Sequence, residues 1–184
     1  MRICGVSGCV AIAQSDAERL PLWSTSGATA PGAPAPFYVL QYRWKTTDPY
    51  ETVYWIPSRN LVRFTSEALV SWYRVPRAAF EPFASGLAPI RVPNITAVTV
   101  GGHAVRAPSS YLKVFSAGRA TNEWPGVSGW LRVRFTASAA SPWTDARADV
   151  RVSNTASYLL RDDTVFVIPK RLADRIRHGL PLTG

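Results

Sequence analysis

The chain has 184 residues, 47% of them hydrophobic and 18% charged, a composition that excludes a disordered polymer and allows one domain burying roughly two-thirds of its unfolded surface. Two cysteines are too few for a disulfide framework, and no apolar run approaches the roughly 18 residues of a spanning helix, so no membrane partner is expected. The 21 Lys and Arg outnumber the 12 Asp and Glu to give a formal charge of +9, and every basic residue except Lys45, Lys113 and Lys170 is arginine, which forks onto phosphate and carboxylate.

Residues 1–13 place Arg2 before a weakly apolar stretch, and Ala11-x-Ala13 has the form of a signal-peptidase site. The stretch is too short and glycine-rich for a secretory segment, so secretion by a signal peptide is not expected. Cys4 and Cys9 read as small apolar residues of an ordered arm, since neither His103 nor His178 lies at metal-ligand spacing from them. Residues 24–36 contain only Ser, Thr, Gly, Ala and Pro, the composition of an extended segment. The expectation is an extended arm over residues 1–36 and a single β domain over residues 37–184.

From Phe37 the dominant period is two. Tyr38, Leu40, Tyr42 and Trp44 alternate with polar residues, and a second strand over Thr52–Ile56 ends at Pro57. Residues 61–75 read either as a short helix capped by Ser66 or as two strands broken near Ser66-Glu67, with strand favoured after Ala68. Gly101-Gly102 between β-rich runs predicts a two-residue hairpin with Val100 opposite His103 and Val98 opposite Val105. Tyr111–Phe115 reads as a further strand. Leu131, Val133 and Phe135 point one way and Trp130, Arg132 and Arg134 the other, followed by Ala148, Val150 and Val152 inward. Residues 164–168 read as a buried strand, and Pro169 opens a short helix with Leu172 and Ile176 inward and Gly179 as its stop. The fold class expected is all-β: a sandwich or barrel of jelly-roll type with one short carboxyl-terminal helix.

Few residues suit catalysis. No nucleophile elbow, phosphate loop, dinucleotide fingerprint or zinc-protease pattern occurs, and Asp162-Asp163 reads as a solvated turn. No enzyme activity, cofactor or metal is expected. The features that stand out are arginine and tryptophan. Arg132, Arg134, Arg147 and Arg151 fall on outward strand positions with Trp130, and Lys170, Arg171, Arg175 and Arg177 surround the helix stripe, together a candidate face for nucleic acid or an acidic partner. Trp44, Trp55 and Trp72 are expected inside. Trp23, Trp124, Trp130 and Trp143 are candidates for an interface.

Residues 91–137 resemble a segment of tailed-phage head–tail connector proteins through RVPNITAVTVGGHAV, Ser109-Ser110-Tyr111, EWPG and GWLRVRFTA. The resemblance implies a hairpin, a tyrosine strand, a tryptophan and a final strand in a virion structural subunit, with no catalytic residues to transfer. In outline the chain is also similar to small jelly-roll coat proteins, although residues 1–36 carry only Arg2 and Arg19 where those arms are arginine-rich. The leading expectation is a non-enzymatic coat or connector subunit, located in the virion or otherwise in the cytoplasm. It would assemble in many copies, with other virion proteins and nucleic acid as further partners. A monomeric nucleic-acid-binding β-barrel is the alternative, and a carbohydrate-binding β-sandwich the third.

Overall fold

The computed structural model describes residues 1–21, 27–28, 32–43, 45, 47–65, 70–145 and 149–183. Among the described residues the chain is all-β, as expected: two seven-stranded antiparallel sheets and a short carboxyl-terminal helix. It falls into two compact units, Met1–Thr29 with Ala35–Val92, and Ala30–Pro34 with Pro93–Gly184. The stretch 37–184, expected as one domain, is therefore shared between them.

The first unit holds β1 (Arg2–Gly5), β2 (Gly8–Ala11), α1 (Gln14–Ala17), β3 (Gly27–Ala28), β4 (Tyr38–Tyr42), β5 (Glu51–Ile56), β6 (Leu61–Thr65), β7 (Val70–Arg74) and α2 (Glu81–Ala84). Its strand order is β2-β1-β4-β5-β6-β7-β3. Residues 2–11 are thus not an arm but an edge hairpin turning at Val6-Ser7, and β1 pairs with β4. The reason is apolar alternation: Ile3 and Ile12 enter a core with Leu40, Val53, Trp55, Val62 and Phe80. Cys4 and Cys9 face each other across this hairpin and form a disulfide, which replaces their expected role as unlinked apolar residues.

The aromatic strands pair as their alternation requires. Tyr38 lies opposite Trp55 with ring centroids 5.1 Å apart, and the Phe80 ring is also 5.1 Å from that of Trp55. Residues 61–65 and 70–74 are both strand, so the helical alternative fails on either side of residues 66–69, which lie outside the described residues, as does Trp44. Arg63 is buried in β6 with its guanidinium near the rings of Tyr54 and Trp72, at 6.0 and 5.9 Å.

The second unit holds β8 (Ile95–Val100), β9 (His103–Ala104), a 3-10 helix (Pro108–Phe115), β10 (Arg119–Thr121), β11 (Trp130–Ala137), β12 (Val150–Ser153), β13 (Tyr158–Arg161), β14 (Thr164–Val167) and α3 (Lys170–Arg177). Its order is β10-β14-β13-β12-β11-β8-β9. Gly101 and Gly102, with φ of 57° and 90°, make the expected hairpin turn, and Val100 pairs with His103. The strand expected over Tyr111–Phe115 is instead part of the 3-10 helix. Ala107 turns the chain at φ 52°, Pro108 starts the helix, and the Ser110 hydroxyl donates to the Ala107 carbonyl at 2.7 Å. The buried set Tyr111, Val114 and Phe115 follows helical spacing, and the Phe115 ring packs tilted against Phe135 of β11 with centroids 5.1 Å apart.

Val167 is 42% exposed, so the run 164–168 is not buried throughout. Helix α3 starts after Pro169 and buries Ala173 and Ile176, with Leu172 only half-buried. It stops at Gly179: the Gly179 N–H bonds the Ile176 carbonyl and the Leu180 N–H bonds that of Arg175, at 3.1 and 2.9 Å, a glycine-terminated helix end.

Beyond the helix the chain docks on the 3-10 segment. The Tyr111 hydroxyl donates to the Leu180 carbonyl at 3.1 Å, and the Leu182 N–H donates to Ser110 Oγ at 3.0 Å. Burial pushes the Tyr111 phenol from its ordinary value of 10.0 up to about 12, against the opposing effect of Arg175. The unfolded chain releases this proton near pH 10 and the native chain only near pH 12. The contribution is therefore complete below pH 10 and lost as pH rises through about 12. Tyr111→Phe is expected to flatten the alkaline fall of stability by on the order of 2 kcal/mol between those limits. Urea denaturation at a series of pH values checks this, and an unchanged slope contradicts it.

Candidate interaction face on the second sheet

Strand β11 separates two kinds of side chain by its period of two. Val133 is buried against the inner face, whereas Arg132 and Arg134 are exposed and Trp130 is half-buried. Register adds the neighbours. Arg151 of β12 lies opposite Arg132, Ser153 opposite Trp130, and Thr99 of β8 opposite Arg134.

Asp149 organises the two paired arginines. Its carboxylate accepts from Arg151 Nε at 2.8 Å and meets Arg151 Nη2 at 2.8 Å, with Arg132 Nη2 further off at 3.7 Å. One carboxylate between two guanidinium groups leaves the pair net positive, and Arg134 adds to it. Arg151 is held in place by the fork, while Arg132 keeps half its side-chain surface open.

The loop before β11 brings up a second aromatic ring. Trp124 is 66% exposed and its ring lies 6.2 Å from that of Trp130, tilted by 51°. The loop is tied to the β12–β13 turn: the Asn154 N–H bonds the Gly129 carbonyl at 3.1 Å, and Ser128 Oγ donates to Asn154 Oδ1 at 3.4 Å. A Cβ at Gly129 would sit 3.0 Å from Asn154 Nδ2, so the close approach suits glycine. The result is a tryptophan pair beside a small cationic patch.

The structure separates the residues expected to bind. Arg132, Arg134, Arg151, Trp124 and Trp130 come together on or beside β11. Lys170 and Arg171 are exposed on α3. Arg175 and Arg177, expected on the face for nucleic acid or an acidic partner, bond backbone carbonyls of this chain. Arg175 donates through Nε to the Pro181 carbonyl at 2.7 Å, and Arg177 donates to the carbonyls of Ser153 and Ala156 at 3.0 and 2.8 Å. Both side chains thus donate to backbone carbonyls, and the Pro181 carbonyl also accepts from the Thr183 N–H at 3.1 Å. Trp143, expected at an interface, is only 2% exposed, because the turn after β11 carries its indole inward. Trp23, Arg147 and Ala148 lie outside the described residues.

Sequence reasoning missed a buried cation, Arg161. Its guanidinium lies 3.5 Å over the Phe166 ring and donates to the carbonyls of Val114 and Phe115 at the end of the 3-10 helix. Burial lowers its pKa to about 10, opposed by Asp162, so it stays charged at neutral pH. The signal was present in the period of two, which sends Arg161 to the same side as Leu159. Asp162, with φ 50°, forms the expected turn between β13 and β14.

Among the described residues no group of three or more His, Cys, Asp or Glu is placed to hold a metal ion, and no helix is long and apolar enough to cross a membrane. No family model matches the chain, and neither the curated proteins nor the solved structures contain a significant match to it.

Proposed function

We propose that the chain is a non-enzymatic structural subunit of a virus particle, coat or head–tail connector, that works by associating with copies of itself and neighbouring subunits. The observation that carries this reading is the exposed Trp124 against the half-buried Trp130, beside Arg132, Arg134 and Arg151. Exposed tryptophan flanked by arginine is the side-chain set that dominates protein interface energetics. The resemblance over residues 91–137 supports the same reading, since its hairpin and its final strand are sheet neighbours, β9-β8-β11. It departs from the family at Tyr111, which is helical here and not in a strand.

The same face favours one second reading, a nucleic-acid-binding module in which bases stack on the tryptophans and arginines meet phosphate. Trp124→Ala tests the first reading. The side chain is largely exposed, so folding is expected to persist, and association is expected to weaken at least tenfold, about 1.4 kcal/mol or more. Light scattering over a dilution series measures it. Association equal to that of the unaltered chain contradicts a role for this face in assembly. Loss of nucleic-acid binding with association unchanged favours the second reading.

A further inference from the structure

Strand β2 is the outer strand of the first sheet. Among the described residues it pairs only with β1, and Gly8, Cys9, Val10 and Ala11 are all exposed. Edge strands that avoid association carry charge, proline or a bulge. Gly8–Ala11 has none of these, and Val6 and Val10 beside and within it are exposed hydrophobic side chains.

The register shows which backbone groups face outward. Cys4 and Cys9 lie directly opposite with Cα atoms 4.0 Å apart, the close spacing of a non-hydrogen-bonded antiparallel pair. Such pairs alternate, so Arg2 and Ala11 form another, and the Ile12 N–H to Met1 carbonyl bond at 2.9 Å falls on the opposite parity. The N–H and C=O of Cys9 and Ala11 therefore point away from β1. The disulfide pins the two strands together at Cys9 and holds the edge in this presentation.

We propose that β2 pairs antiparallel with β2 of a second copy, about a two-fold axis through Val10. In that register Cys9 faces Ala11 of the second copy and exchanges both backbone hydrogen bonds with it. Symmetry repeats the exchange at the other end, and the two Val10 side chains meet at the close pair on the axis. Side-chain charge does not oppose a second copy at this place. The chain carries +9 overall, yet residues 1–21 hold Arg2 and Arg19 against Asp16 and Glu18, so two copies approach here with little repulsion. The pairing adds a second contact to the self-association reading and rests on it for its use.

Amide hydrogen exchange on the full chain with the disulfide intact, run alongside light scattering, tests the pairing. At concentrations where the chain associates, the amides of Cys9 and Ala11 are expected to exchange at least tenfold more slowly than in dilute monomer. Ala11→Pro removes an outward N–H without touching the hairpin's own bonds, and is expected to abolish the protection of the remaining Cys9 amide. Val10→Lys sets like charges face to face on the axis, and is expected to halve the oligomer mass at low salt and recover it at high salt. Fast exchange of both amides in an associated chain overturns the strand pairing and leaves self-association standing. A monomer at every concentration overturns both.

Discussion

Arg161→Met is expected to destabilise the second unit by about 3 kcal/mol. Methionine replaces only the aliphatic stem, which ends before the guanidinium position over Phe166, and it leaves the Val114 and Phe115 carbonyls without their donor. Each orphaned buried acceptor costs about 1–3 kcal/mol, and the lost stacking of guanidinium on the ring adds about 1 kcal/mol more. Relief of the buried charge offsets part of that sum, since the depressed pKa shows that burial opposes the charged form. Arg161→Lys retains charge but supplies a point donor in place of a fork, and an intermediate loss is expected. Urea denaturation of the three chains measures the order. A loss below about 1 kcal/mol for methionine contradicts the assigned role.

Gly118→Ala is expected to cost about 3 kcal/mol, and Gly102→Ala only about 1 kcal/mol. Both glycines have positive φ, at 85° and 90°, so the backbone penalty for a side chain is similar. They differ in surroundings. A Cβ at Gly118 meets the Val167 carbonyl oxygen at 2.6 Å and Ile168 Cγ2 at 2.7 Å, whereas at Gly102 nothing lies within 4 Å. Gly118 stands just before β10, where the chain closes onto β14, so relief of the overlap would separate the edge strand from its partner. Equal losses for the two variants would contradict the steric account.

Much of the fold is legible from side-chain pattern alone. Tyr38 through Tyr42 and Trp130 through Phe135 alternate, while Thr52 through Ile56 is legible as a β-branched and aromatic run ended by Pro57, and each forms a strand. The Gly101-Gly102 turn and the Gly179 stop are legible because positive φ restricts residue choice. Residues 1–12 were harder, because a hairpin edge with one buried isoleucine in β1 and one just past β2 resembles a short apolar arm until its partner β4 is known. Tyr111, Val114 and Phe115 mislead because tyrosine, valine and phenylalanine favour strands, yet their three- and four-residue spacing is helical.

The candidate face was legible in part. The outward positions of Arg132, Arg134 and Trp130 follow from alternation, but the approach of Trp124 depends on the loop bonded to Asn154. Arg175 and Arg177 look on the sequence like free cations of an amphipathic helix. Their carbonyl partners lie 6, 21 and 24 residues away, so tertiary contacts decide that they are structural.

The most direct test of the assembly account is size-exclusion chromatography with light scattering, recording absorbance at 260 and 280 nm in low and high salt. The account predicts a mass well above that of one chain, either a large closed assembly or a ring-sized oligomer, persisting at high salt because tryptophan burial and strand pairing carry it. A single-chain mass at every concentration, with bound nucleic acid shed as salt rises, would contradict it and leave the binding module in its place.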